Sequence, residues 1–234
     1  MKVCISEFTF KAFKKLFNDS LKSHELILID SSGDLVRGKG KPDITFASYE
    51  VMFKCLNDGA YRKRFFSLID GSDFIQGSWA GVESEVAQEL IRRTRNFSHG
   101  GGLHAITLAT YVFAQMLRHV KGIDAHIELQ RQKKWKPMLL PGELTDLVIG
   151  IVGFGGIGKE IARLAKAFRM NVLATKRTKV SFEHLDHLFK PSDLDKMLSK
   201  CDFVINCLPV TEETKKIFSL KQFNVMKSSA MFIN

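Results

Sequence analysis

Between residues 147 and 175 the chain passes from an uncharged apolar run through spaced glycines and back to an apolar run. Leu147-Val-Ile-Gly-Ile-Val152 reads as a buried strand, and Gly153-Phe-Gly155-Gly156-Ile157-Gly158 follows it directly. Ile157, Ile161, Leu164, Ala165 and Phe168 then recur at helical spacing, and Val172 to Thr175 reads as a further strand. Three glycines in this spacing are a weak signal alone. Strand, glycine turn, helix and strand together form the arrangement that cradles a dinucleotide. Each glycine has its own physical reason. Gly153 permits the tight turn out of the strand, Gly155 leaves room for a pyrophosphate, and Gly158 lets the helix pack closely on the sheet. The helix N-terminus, with its free N–H groups and positive dipole end, would hold the phosphates.

The end of the second strand bears on which dinucleotide binds. An Asp or Glu there would accept from a ribose 2′-OH. This chain has Thr175-Lys176-Arg177-Thr178 instead. Two cations at that place would attract a 2′-phosphate, Arg177 by a bidentate fork and Lys176 as a point charge. NADP(H) is therefore favoured, with NAD(H) as the alternative and surface cations beyond the strand as the bland reading.

Composition limits the other classes. The chain has 35 Lys+Arg against 25 Asp+Glu, a net charge of +10, and 45% hydrophobic residues. The positive surplus is scattered, and no RNA-binding aromatic signature or zinc-finger spacing accompanies it, so a nucleic-acid partner is not expected. No apolar run approaches a membrane span, and the first ten residues lack the features of a signal peptide. Cys4, Cys55, Cys201 and Cys207 form no CxxC pair, which fits reduced thiols in a cytoplasmic protein.

Upstream of the glycines, short apolar runs alternate with amphipathic stretches. Met1–Ile5, Leu26–Ile29, Asp43–Phe46 and Phe74–Gln76 read as strands. Phe10, Phe13, Leu16 and Phe17 predict a helix docking a Phe face on a sheet, and helices are also predicted near 51–57 and 85–95. The alternation argues for a parallel α/β sheet. Gly100 to Gly102 then open a long helical pattern from Leu103 to His119, apolar on more than one face, as in a helix buried between layers or domains. Pro137, Pro141 and Gly142 break the chain before the second α/β unit, and the domain junction is expected near residue 100. Downstream, a buried strand is predicted to run from Asp202 to Leu208-Pro209, with a helix over 218–226 and a strand over 230–233.

Several ordered motifs resemble the D-isomer-specific 2-hydroxyacid dehydrogenases, of the glyoxylate/hydroxypyruvate reductase-like kind. They are PDITFASYE (42–50), QGSWAGVE (76–83), GGLHAITLATYVFAQML (101–117), the glycine fingerprint with IARLAKAF, LPVTEET (208–214) and MKSSAMFIN (226–234). The resemblance implies a flavodoxin-like substrate domain, residues 1–99, and a Rossmann-type doubly wound domain, residues 100–234, beginning with an interdomain helix. It implies that Ala80, Gly81 and Val82 offer backbone N–H groups to a substrate carboxylate. Gly155, Gly156 and Ile157 would contact the pyrophosphate, Lys176 and Arg177 the adenosine ribose, and Leu208 and Pro209 would border the cofactor. It further implies a small 2-keto or 2-hydroxy acid substrate, hydride exchange with nicotinamide, and a homodimer. The family's usual Glu after Ala109 is Thr110 here.

The resemblance also implies a catalytic arginine, glutamate and histidine, all beyond Asn234. No residue in 1–234 is expected to replace them, so these residues are expected to be a C-terminally truncated representative that binds cofactor poorly and turns over nothing measurable. The alternative is a non-catalytic dinucleotide-binding or interaction protein. His99 and His104 fall at the family's hinge and helix start, where a satisfied structural role is expected for His104. His184 and His187, beside Glu183 and Asp186, are expected to lie in a variable loop, with no metal site.

Overall fold

The computed structural model describes residues 1–137 and 142–234. The chain divides into two units, Met1–Gly101 and Gly102–Asn234, so the boundary falls within the glycine cluster. Pro141 lies outside the described residues.

In the first unit β1 (Lys2–Ser6) leads through α1 (Glu7–Ala12) and α2 (Lys14–Ser20) to β2 (Glu25–Ile29), β3 (Leu35–Arg37) and β4 (Ile44–Ala47). Then come α3 (Tyr49–Asn57), α4 (Gly59–Ile69), β5 (Phe74–Gly77), α5 (Glu85–Arg93) and β6 (Asn96–Ser98). The sheet runs β3-β2-β1-β4-β5-β6, parallel except for the β2–β3 pair. Leaving β3 aside, the parallel strands lie in the order second, first, third, fourth, fifth, which is flavodoxin-like. Period-two alternation builds a core on each face. Val3, Ile5, Leu26 and Leu28 pack with Phe10, while Cys4, Ile27 and Ile29 pack with Val51, Phe65 and Leu90.

The single Phe/Lys helix predicted around 10–17 is in fact two. Phe13 leaves helical geometry at φ −121°, and Phe13 and Leu16 stay exposed while Phe10 and Phe17 pack under the sheet. The helix α4 was not anticipated, because Arg62-Lys63-Arg64 interrupt its apolar Tyr61, Phe65, Phe66 and Ile69. Asp58 starts it by accepting from the N–H groups of Ala60 and Tyr61. At the carboxyl ends of β1 and β4, Glu50 Oε2 accepts from three hydroxyls. These are Ser6 at 2.8 Å, Thr9 at 3.0 Å and Ser48 at 2.9 Å.

The second unit contains α6 (Ala105–Val120), α7 (Ile123–Arg131), β7 (Val148–Val152), α8 (Gly156–Ala167), β8 (Asn171–Thr175) and β9 (His187–Phe189). A 3₁₀ turn at Pro191–Asp193 leads into α9 (Leu194–Leu198), β10 (Phe203–Asn206), α10 (Leu220–Val225) and β11 (Met231–Ile233). The strands are parallel in the order β11-β10-β7-β8-β9. Counted from β7 as first strand, that is the Rossmann order 3-2-1-4-5 read from the other edge. Ile149 and Ile151 pack with residues of α6 and α8 on one face, and Val152 packs with Leu194, Met197 and Leu198 of α9 on the other. The helix α6 starts at Ala105 and buries one face, with Ala109, Val112, Phe113 and Met116 inside. Leu103, Ile106 and Tyr111 are not buried in the core of this unit, so within it the segment buries a single face. Among the described residues no helix is long and apolar enough to cross a membrane.

Candidate functional site

The glycine turn joins β7 to α8 at the carboxyl edge of the second sheet, next to the point where connections leave β7 and β10 in opposite directions. Gly153 has φ +96°, and a Cβ there would sit 2.9 Å from the Cys207 carbonyl carbon and 3.0 Å from the Leu208 nitrogen. Phe154 turns inward, 2% exposed, and packs edge-on against Phe182 at 5.6 Å. This inward anchor was missed in the sequence, where the fingerprint leaves the position unspecified. Gly158 brings α8 against the turn, since a Cβ on it would lie 2.6 Å from the Gly153 carbonyl oxygen. Gly155 is different. A Cβ there would meet no atom within 4 Å, so the space beside it is open.

Gly155 is also the N-cap of α8, and the helix carries no side-chain cap and no acid in its first turn. Gly156 has only ordinary contact with Gly102, and Ile157 is half-buried against the core. An uncapped N-terminus offers free N–H groups and partial positive charge to an anion. The residues of the turn therefore fit a pyrophosphate.

Two further loops converge on this turn. After β8, the Lys176 ammonium donates to the Phe154 carbonyl at 3.2 Å, so it braces the turn. Arg177 lies farther out, and its Nη1 donates to Glu213 Oε2 at 3.1 Å. After β10, the chain leaves the sheet earlier than predicted, with the strand ending at Asn206 and not at Leu208-Pro209. The reason is local. The Asn206 side chain accepts from the Leu208 N–H at 3.3 Å and donates to Asn234 Oδ1 at 2.8 Å, and Pro209 has no N–H for a ladder. Leu208 packs inward while Pro209 is exposed. Thr214 then closes the loop by donating to the Pro209 carbonyl at 2.5 Å. Burial pushes the Cys207 thiol up to about 12. Glu213 and Thr214 lie in the LPVTEET motif, but nothing local in the sequence pairs Glu213 with a cation 36 residues away.

In the first unit, Ala80, Gly81 and Val82 form the connection between β5 and α5. Ala80 and Gly81 are exposed and Val82 is half-buried. The Glu83 carboxylate occupies the space that a Cβ on Gly81 would take, which places a negative charge beside this turn. Ser84 caps α5 by accepting from the Ala87 N–H. His99 and His104 are both exposed, and His104 precedes α6 without making a side-chain cap, contrary to the structural role expected for it. His184 lies 3.1 Å from Glu183. Among the described residues no three His, Cys, Asp or Glu side chains group as metal ligands.

The family model described as D-isomer specific 2-hydroxyacid dehydrogenase, NAD binding domain, matches residues 113–234. Glyoxylate reductase from Pyrococcus furiosus is 36% identical over 162 residues, covering 66% of this chain and 48% of that protein. Glyoxylate/hydroxypyruvate reductase B from Salmonella newport is 32% identical over 161 residues, covering 66% and 49%. The chain thus spans about half the length of these curated relatives. Among solved structures, a D-isomer specific 2-hydroxyacid dehydrogenase family protein from Aeromonas salmonicida has a TM-score of 0.76 at 21% identity, covering 99% of this chain and 71% of that one. An NADPH-dependent glyoxylate/hydroxypyruvate reductase from Sinorhizobium meliloti, solved with NADP and sulfate, has a TM-score of 0.71 at 20% identity, covering 97% and 67%. These two structures share the fold.

Proposed function

The chain belongs to the D-isomer specific 2-hydroxyacid dehydrogenase family, and from that premise we propose that its second unit binds a nicotinamide dinucleotide, with NADP(H) preferred. The observation that carries the reading is the uncapped start of α8 beside the open space at Gly155. Gly155, Gly156 and Ile157 would hold the pyrophosphate through backbone N–H groups, which are fixed donors needing no counter-charge. Gly153 and Gly158 shape the turn, Lys176 keeps it in place through the Phe154 carbonyl, and Leu208 and Pro209 would border the cofactor. Arg177 would meet a 2′-phosphate.

The reaction proposed for the whole protein is reversible hydride exchange with a small 2-keto or 2-hydroxy acid. Glyoxylate is the substrate class that the names of the relatives support. The bound nicotinamide would supply or take the hydride. Ala80, Gly81 and Val82 would hold the substrate carboxylate, with Glu83 turned away. A homodimer belongs to the same proposal, supported by the exposed Ile106 and Tyr111 on α6. Fluorescence titration of residues 1–234 with NADPH and NADH tests the binding reading. Saturable binding of NADPH, weakened by Arg177→Ala, is expected. Absence of binding by either dinucleotide would overturn it.

A further inference from the structure

We propose that Glu213 occupies Arg177 in place of a ligand 2′-phosphate, so that competition for one guanidinium sets the balance between NADP(H) and NAD(H). The inference rests on reading the glycine turn as a dinucleotide site. Arg177 follows β8, Glu213 lies in the loop after β10, and β7 runs between those two strands. The ion pair therefore crosses over the carboxyl end of β7, where the glycine turn begins.

The neighbouring charges leave this task to these two residues. Lys176 is held by the Phe154 carbonyl, so the outward cation of the pair read from the sequence is Arg177. Glu212 is paired with Lys215 within its own loop, so Glu213 is the acid that reaches across. A carboxylate and a phosphate both fit the guanidinium fork, and both cannot hold the same N–H groups at once. The side chains of Arg177 and Glu213 are 81% and 77% exposed, so water and salt weaken their attraction. A 2′-phosphate, with its greater charge, displaces the carboxylate at some loss of affinity. NAD(H), with a neutral 2′-OH there, has no such contest.

NADPH and NADH differ only in the 2′-phosphate, so the ratio of their dissociation constants cancels any general effect on folding or on the pyrophosphate site. Both Kd values are measured by fluorescence titration of the 234-residue chain for wild type, Glu213→Gln, Arg177→Ala and the double variant. Glu213→Gln is expected to shift the ratio toward NADPH by about two- to five-fold, the range for an exposed ion pair. Arg177→Ala is expected to shift it toward NADH. In the Arg177→Ala background the gain from Glu213→Gln is expected to disappear. An unchanged ratio in Glu213→Gln, with Arg177→Ala still shifting it, overturns the competition. So does a gain of equal size in both backgrounds, because Glu213 would then act by general repulsion. Failure of the wild type to bind either dinucleotide is a separate outcome, which removes the site reading and this inference with it.

Discussion

Substituting the glycines of the turn one at a time by alanine separates what they do for the fold from what they do for a ligand. At Gly158 the new Cβ would lie 2.6 Å from the Gly153 carbonyl oxygen and 3.0 Å from Ile151 Cγ2. Neither atom can withdraw without moving the turn or the strand. Such overpacking costs roughly 1–3 kcal/mol, against a helix-propensity gain of about 0.5–1 kcal/mol. Gly158→Ala is therefore expected to lose about 1 kcal/mol on balance and at most about 2.5 kcal/mol, a fall in Tm of roughly 2–4 °C per kcal/mol at this chain length. Gly153→Ala meets backbone at 2.9 Å and also requires φ +96°, so it should lose more.

Gly155→Ala meets nothing within 4 Å. Its unfolded-state gain of about 0.4–1 kcal/mol is offset by a somewhat poorer N-cap. Its Tm should stay within about 2 °C of wild type. The methyl group nevertheless enters the open space proposed to take the pyrophosphate, and a tenfold or greater loss of NADPH affinity is expected, about 1.4 kcal/mol. Thermal melts followed by circular dichroism and fluorescence titration measure the two effects on the same samples. A Gly155→Ala protein that binds NADPH like wild type would refute the assignment of that space. A Gly158→Ala protein as stable as wild type would refute the packing argument.

Other consequences are independent of the ligand. Glu50→Ala leaves the hydroxyls of Ser6, Thr9 and Ser48 without their acceptor and should cost roughly 1–3 kcal/mol in urea denaturation, with Glu50→Gln restoring part of it. A loss below about 0.5 kcal/mol would show that the cluster is not holding β1 to β4. Burial opposes ionisation of Asp186, but the Lys166 ammonium and the Val172 N–H prevail and hold its carboxyl below the usual range. Its contribution is therefore present above the unfolded carboxyl value, about pH 4, and lost as pH falls through the lowered one. Because Asp186 is 42% exposed, Asp186→Asn should cost under about 1 kcal/mol at neutral pH. That difference should close on acidification, and a gap widening below pH 4 would contradict it. Burial pushes the thiols of Cys4, Cys55, Cys201 and Cys207 up to about 12. All four should resist a thiol reagent at pH 8 until the chain unfolds. Rapid native labelling of Cys4 or Cys201 would count against the packing described.

Where structure follows local periodicity, the chain could be read directly. The alternation of Val3, Cys4 and Ile5 puts neighbours on opposite faces of one sheet, and the i, i+3, i+4 spacing of Ile157, Ile161, Leu164 and Ala165 marks the buried side of α8. Elements with mixed or short signals were lost. The cations 62–64 obscured α4, and the three-residue strands β3, β6 and β9 are held by partners across the sheet more than by their own sequence. The break at Phe13 was hidden because Phe13 and Leu16 fit the apolar period yet stay exposed.

The candidate site divides along the same line. By itself, the sequence determined the glycine turn, the helix that follows it and the two cations after β8, because spacing and residue type act over a few neighbouring residues. Tertiary structure decided what those groups touch. Lys176 bends back to Phe154, Arg177 meets Glu213 from 36 residues away, and Glu50 gathers hydroxyls from two strand ends. Such pairings arise only when strand order brings distant loops to one edge of a sheet, and no local pattern encodes which side chains then come within reach.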